Sequence, residues 1–127
     1  MSVKHWSGFY TPFDENEVKR VVPTAGGSYA IWMNYADGHW SCYYIGKAHN
    51  LKKHLLECLS GEDPNRYIKE SREYHCGFQW MEIATETERL GATKYLYDTL
   101  RPECNEADLR GVPLAVPLPD SPPNSNV

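Results

Sequence analysis

No apolar run in this 127-residue chain approaches the ~18 residues that a membrane-spanning helix requires. The first residues, Met1–His5, are not followed by the hydrophobic core of a secretory signal peptide. These two absences predict a cytoplasmic protein with no membrane partner. The length is typical of one domain with a hydrophobic core of its own.

Closely spaced cysteines are also missing. The four cysteines are dispersed and form no C-x-x-C pair; they are Cys42, Cys58, Cys76 and Cys104. Because zinc sites are built from ligand pairs on tight turns, we predict no zinc site and expect buried or free thiols.

Positive charge is scarce as well. Thirteen Lys and Arg residues stand against seventeen Asp and Glu residues, which gives a net charge of −4 and excludes a protein that holds DNA by bulk charge alone. Six of the cations, but only four of the acids, lie between residues 47 and 72. The six are Lys47, Lys52, Lys53, Arg66, Lys69 and Arg72. This asymmetry fits either a weakly basic groove, with weak and salt-sensitive DNA affinity, or an ordinary charged helix surface.

The first half of the chain has the pattern of a β-hairpin followed by a helix. Two apolar and aromatic runs, Ser28–Asn34 and Trp40–Gly46, flank the turn signal Ala36-Asp37-Gly38. Asn50 is a suitable N-cap for a helix over Leu51–Ser60, whose leucines recur on one face.

The second half predicts a short helix, a strand and a long helix. The short helix is expected over Pro64–Ser71 and the strand over Gly77–Ala84. Thr85 and Glu88 have the spacing of a capping box that opens a helix ending near Leu100. The order β-β-α-α-β-α describes an α+β domain with a three-stranded mixed sheet flanked by helices.

Composition divides the chain into three parts. Residues 1–24 form a short N-terminal arm or helix with four aromatic residues, laid on the domain rather than separate from it. Residues 25–108 form the domain. Residues 109–127 form a proline-rich tail, which we expect to be extended or mobile and unable to pack into a core. The aromatic residues of the arm are Trp6, Phe9, Tyr10 and Phe13.

Two triplets resemble the paired motif of the GIY-YIG nuclease superfamily. Gly27-Ser28-Tyr29 stands in the place of the first triplet and Tyr44-Ile45-Gly46 in the place of the second. The likeness continues through Tyr43–Leu55 and through Thr85–Asn105, which closes with R-P-x-x-N. The resemblance implies the GIY-YIG fold and hydrolysis of DNA phosphodiesters with one divalent metal ion, Mg²⁺ or Mn²⁺.

The resemblance also implies roles for individual residues. Tyr29 and Tyr44 would line the catalytic surface, one of them helping to activate water, with Lys47 beside them. Asn105 would support the site from behind. The nucleic-acid contacts would come from Lys52, Lys53 and Arg66.

Two positions depart from the family's pattern. His54 stands where the resemblance expects an arginine, and Thr93 where it expects a metal-binding glutamate. A neutral hydroxyl does not replace a carboxylate on Mg²⁺. Histidine lacks the permanent charge and bidentate fork of arginine, a side chain worth about 10³–10⁵ in rate in comparable phosphate-stabilising roles. The pattern therefore predicts a degenerate active site with His54 as its best titratable group.

Three functions stay open on the sequence. The first is a divergent DNA endonuclease that uses Tyr29, Tyr44, Lys47 and His54. The second is a catalytically inactive nucleic-acid-binding module. The third is a protein-interaction or inhibitor domain that meets its partner through the acidic body and the aromatic arm. Structural roles are the alternative at each residue: strand packing for the tyrosines, a solvated lysine, a histidine at the border of the core, and a core-facing Thr93 bonded to a backbone carbonyl.

Overall fold

A computed structural model describes residues 5–34, 40–60, 75–102 and 113–119. Its elements in chain order are α1 (Glu15–Val21), β1 (Gly27–Asn34), β2 (Trp40–Ala48), α2 (Leu51–Ser60), β3 (His75–Glu82) and α3 (Glu86–Leu100). The predicted α+β architecture is confirmed, with α1 added in front. The predicted hairpin turn and the short helix over residues 64–71 lie outside the described residues. Within the described ranges no helix is long and apolar enough to cross a membrane.

The sheet has β1 at its centre, in the order β2-β1-β3. Both pairings are antiparallel, so the expectation of a mixed sheet is wrong in this respect. Strands β2 and β3 do run in the same direction, but β1 separates them and they never pair. The sequence predicts three strands. It contains no signal that specifies which strand of the hairpin the third strand pairs with.

The helix starts follow the capping residues that the sequence predicts. The backbone N–H of Lys53 donates to Asn50 Oδ1 at 3.1 Å, and that of Glu88 donates to Thr85 Oγ1 at 3.2 Å. Helix α3 ends at Leu100, and its C-cap residue, Arg101, takes a left-handed conformation with φ of 50°. Local hydrogen bonding at these positions therefore fixes where α2 and α3 begin.

Alternation along β1 divides the core into two clusters, one on each face of the sheet. Tyr29 and Ile31 face α1 and α2, where they pack with residues such as Leu55 and Phe78. Ala30 and its neighbours on the other face pack against α3, in a cluster with Ile45, Met81 and Leu96. The sheet is thus covered on both faces.

The N-terminal arm runs along the β3 edge of the sheet. Tyr10 and Phe78 exchange backbone hydrogen bonds of 3.0 and 2.9 Å, and Ser7 donates its N–H to the Trp80 carbonyl oxygen at 2.7 Å. The Tyr10 ring stacks on Trp80 at 5.4 Å between centroids, and Phe13 is buried in the core. The arm therefore covers one edge of the sheet, while its boundary at residue 24 stays a prediction.

The C-terminal segment over residues 113–119 packs on the domain, contrary to the expectation that the tail could not join a core. Leu114 donates its N–H to Gly91 O at 3.0 Å, and Trp6 Nε1 donates to Pro117 O at 2.7 Å. Val116 is 8% exposed and belongs to the cluster beside α3. The segment needs no secondary structure for this, because α3 and the arm supply the hydrogen-bond partners for its backbone.

Docking of this segment predicts a measurable loss of stability in Val116→Ala. Removing two buried methyl groups is expected to lower the free energy of unfolding by about 1.5 kcal/mol, as measured by urea denaturation. Leu118 is the matched control, since it is 46% exposed in the same segment. Leu118→Ala is expected to change stability by less than about 0.5 kcal/mol. Equal effects at the two positions would contradict the docking.

Candidate functional site

The tyrosine of the first triplet is hydrogen-bonded to the histidine at the expected arginine position. Tyr29 lies on β1 and is 1% exposed, and its hydroxyl oxygen is 2.9 Å from Nε2 of His54 on α2. The two ring centroids are 5.4 Å apart. Either group is able to donate this hydrogen bond. The pair links the central strand to the first turn of α2.

Two further tyrosines, Tyr43 and Tyr44, lie on β2 and belong to the same core cluster as Tyr29. Tyr44 stacks on Tyr29 with 6.1 Å between ring centroids, and both Tyr43 and Tyr44 are buried. The register of β1 and β2 shifts between Ile31 and Trp32, opposite Tyr43. All three rings therefore serve as packing beneath α2. A catalytic role for Tyr29 and Tyr44 stays a prediction.

The glycine of the second triplet makes room for the Tyr29 hydroxyl. Gly46 pairs with Tyr29 across the two strands. A Cβ atom built on Gly46 would overlap the hydroxyl oxygen and Cζ of Tyr29. The spacing of the two triplets along the hairpin thus corresponds to a direct contact between the last residue of one and the last residue of the other.

A cavity of about 360 Å³ opens where β2 ends and α2 begins. Its charged and polar lining includes Lys47, His49, Lys53, His54, Glu57 and Glu86. Lys52 lies outside it, in a neighbouring groove of about 820 Å³ between α1 and α2 that Lys53 also lines. Arg66 and Asn105 fall outside the described residues, so their predicted roles stay predictions.

Lys47 and Tyr29 lie on opposite faces of the sheet, because Lys47 follows the partner of Tyr29 along β2. The side chain of Lys47 reaches across to α3, where its Nζ is 2.7 Å from Glu86 Oε1. His54 reaches the same cavity from the α2 side. The cavity at the β2 edge of the sheet therefore brings together Lys47 and His54, two of the four predicted catalytic side chains.

Glu86 is held by two cations. Besides Lys47, it contacts Arg89, whose Nη1 lies 3.0 Å from Glu86 Oε2. The hydrogen bond from Lys47 is the main reason why the pKa of the Glu86 carboxyl lies below its usual value, and Arg89 adds to this. Residues 47 and 86 are far apart in sequence and on different kinds of element, so no local pattern predicts their pairing.

Arg89 is a buried residue that the sequence analysis missed. Only 8% of it is exposed, and its guanidinium donates to Ile83 O at 2.9 Å and to Ala84 O at 3.0 Å. The one signal available in the sequence is its place just after the capping box, which puts it beside the end of β3. The guanidinium is therefore bonded to backbone carbonyls inside the fold and to the Glu86 carboxylate.

Thr93 occupies a closed position. It is 1% exposed, and its Oγ1 lies 2.7 Å from Oγ of Ser28, so its partner is a side chain and not the backbone carbonyl that we expected. Among the described residues there is no group of three His, Cys, Asp or Glu side chains suited to hold a metal ion. The Thr93 hydroxyl is neutral and bonded to Ser28, and the Glu86 carboxylate lies beside two cations whose charge disfavours a divalent ion, so these donors do not fit the metal that the resemblance implies.

Comparison with solved structures supports the fold. The chain is similar to the GIY-YIG N-terminal endonuclease domain of UvrC from Thermotoga maritima, in the form of point mutants bound to their catalytic divalent cation. One mutant matches with a TM-score of 0.54 and 21% identity, over 68% of this chain and 92% of that one. A second matches with a TM-score of 0.53 and 20% identity, over 68% and 93% of the two chains. The chain therefore has a GIY-YIG-like fold. No protein-family model and no curated protein matches the sequence.

Proposed function

We propose that this domain binds DNA through the cavity at the start of α2 and does not cleave it by the metal-dependent route of its fold. The observation that carries the proposal is that side chains able to donate to phosphate line one cavity, while the position expected to hold a metal ligand is enclosed. Lys47, Lys53 and His54 line one cavity. Thr93, where the resemblance expects a metal-binding carboxylate, is buried against Ser28.

The lining side chains suit a phosphate backbone. Lysine ammonium groups and a histidine N–H donate to phosphate oxygens, and such contacts need no particular base sequence. The cavity also contains Glu57 and Glu86, and the whole chain carries a net charge of −4. Binding is therefore expected to be weak and strongly salt-dependent.

The protein-interaction alternative depended on the acidic body and on an exposed aromatic arm, and the structure bears on the arm. Instead, Tyr10 stacks on Trp80, Phe13 is buried, and Phe9 packs edge-to-face on Trp40 with 5.0 Å between centroids. The Trp6 indole donates to Pro117 O. Because these rings are engaged within the domain, the arm offers a partner little apolar surface.

The endonuclease stays as the second candidate because of one contact, the 2.9 Å hydrogen bond between Tyr29 and His54. A histidine bonded to a tyrosine hydroxyl is an arrangement that can move a proton to or from a reacting group. The burial of Tyr29 at 1% exposure argues against direct access of a substrate to that hydroxyl.

DNA binding is tested by fluorescence anisotropy of a labelled duplex across about 50–200 mM salt. We expect a dissociation constant in the range of about 10⁻⁴–10⁻⁶ M, typical of non-specific binding, and a loss of binding in Lys52→Glu with Lys53→Glu. The matched control is Lys19→Glu with Arg20→Glu, an equal charge change on exposed residues of α1. Equal weakening by the two double variants would contradict a localised binding face.

Cleavage is tested on supercoiled plasmid with Mg²⁺, with Mn²⁺ and with EDTA. We expect no nicking by the wild-type protein in any of the three conditions. Nicking that disappears in Tyr44→Phe, and not in a Tyr95→Phe control on α3, would overturn the non-cleaving proposal and establish the second candidate.

A further inference from the structure

The ammonium group of Lys47 is already engaged by a carboxylate in the free domain. Its Nζ lies 2.7 Å from Glu86 Oε1, and both residues line the cavity at the start of α2. A carboxylate and a phosphate offer an ammonium the same kind of charged oxygen acceptor. In the free domain, Glu86 therefore engages the Lys47 ammonium group, which the proposed function assigns to a DNA phosphate.

Glu86 is anchored from its other side. Its second oxygen, Oε2, lies 3.0 Å from Nη1 of Arg89, whose other nitrogens are bonded to the carbonyls of Ile83 and Ala84. Gly26 lies directly against this guanidinium, and a Cβ atom there would overlap it. Arg89 is thus fixed by the fold, and it provides Glu86 with a partner that does not depend on Lys47.

The exposures of the three side chains differ in a way that allows exchange. The Arg89 side chain is 10% exposed, that of Lys47 31% and that of Glu86 64%. An ion pair with so exposed a carboxylate is worth little and is broken easily. A ligand in the cavity is able to reach Lys47, whereas it does not reach the buried Arg89.

We propose that Glu86 is a built-in competitor of the DNA phosphate. It holds Lys47 in the free domain, and a bound phosphate takes Lys47 over while Arg89 retains Glu86 at the rim of the cavity. This inference rests on the proposed DNA-binding function. It assigns to Glu86 the control of how tightly, and at what salt concentration, the domain binds.

The test is duplex binding by anisotropy in five variants beside the wild type: three single variants and two double variants. Glu86→Gln is expected to tighten binding by about fivefold, the upper range for an exposed ion pair. Glu57→Gln is the matched control, because it removes the same charge from the α2 side of the same cavity, whereas the carboxylate that pairs with Lys47 is that of Glu86. It is expected to have a smaller effect. In a Lys47→Gln background the two substitutions are expected to have equal effects.

A second measurement follows the Glu86 carboxyl itself by NMR titration in the wild-type protein. Its pKa is below the usual value in the free domain because of Lys47. Saturating duplex is expected to raise it, since the main cause of the lowering is withdrawn. A pKa that stays unchanged in the complex would show that Lys47 never leaves Glu86.

The outcomes separate the two proposals. If the wild type binds and Lys52→Glu with Lys53→Glu abolishes binding, but Glu86→Gln and Glu57→Gln have equal effects beside an intact Lys47, only the competitor role is wrong. If neither the wild type nor Glu86→Gln binds the duplex, the binding function and the competitor role are both wrong. Binding by Glu86→Gln alone would support both.

Discussion

Replacing Gly46 by alanine is expected to lower the free energy of unfolding by about 3 kcal/mol, at the upper end of the range for overpacking a core. The added methyl group would overlap the hydroxyl and Cζ of Tyr29. The ring has little room to withdraw, because Tyr29 is 1% exposed, stacks on Tyr44 and is bonded to His54. Urea denaturation measures the loss.

The control for this substitution is Gly8→Ala in the exposed part of the arm, where the nearest atom to an added Cβ is 3.9 Å away. We expect a change below about 0.5 kcal/mol there. In a Tyr29→Phe background the cost of Gly46→Ala should fall, because one of the overlapping atoms is absent. An unchanged cost in that background would mean that the ring carbons or the strand itself, and not the Tyr29 hydroxyl, oppose the methyl group.

Installing the two residues that the resemblance expects, His54→Arg with Thr93→Glu, is expected to destabilise the domain without producing a nuclease. Thr93 is 1% exposed and bonded to Ser28, so a glutamate there starts as a buried charge, and Arg89, one turn earlier on α3, is already bonded to Ile83, Ala84 and Glu86. Such a charge costs about 3 kcal/mol. Burial raises the pKa of a carboxyl, so the loss is expected to shrink as the pH falls and the group becomes protonated.

Thr93→Val is the matched control, because it keeps the volume and removes only the hydroxyl. It is expected to cost about 1 kcal/mol, the effect of an unpaired Ser28 hydroxyl, with no dependence on pH. The readouts are urea denaturation at several pH values and plasmid nicking with Mg²⁺ and Mn²⁺. A stable double variant that nicks DNA would show that only two side chains separate this scaffold from a working metal site.

Sequence and structure agree most closely where the determinants are local. Asn50 and Thr85 start α2 and α3 at the predicted residues, because an N-cap acts within its own first turn. The two triplets likewise predict the hairpin of β1 and β2, and the register brings Gly46 to Tyr29. The GIY-YIG-like fold follows from these features together.

The candidate site was predictable only in part. The motif identifies Tyr29, Lys47 and His54 but not their environment, since burial depends on the helices that cover the strand. Thr93 and Glu86 share α3, yet one side chain is enclosed and the other is 64% exposed and pairs with Lys47. Packing of α3 against the sheet causes this difference in exposure, and the spacing of residues within α3 does not predict it.

By itself, then, the sequence determined the elements and the motif that its own residues encode through capping, strand propensity and turn signals. The tertiary structure alone decided the antiparallel addition of β3, the docking of Val116 and the pairing of Glu86 with Lys47 and Arg89. Each of these joins segments that are distant along the chain. Their contacts depend on which surfaces remain uncovered once the hairpin and helices have packed, and that is a property of the assembled fold rather than of any short stretch of residues.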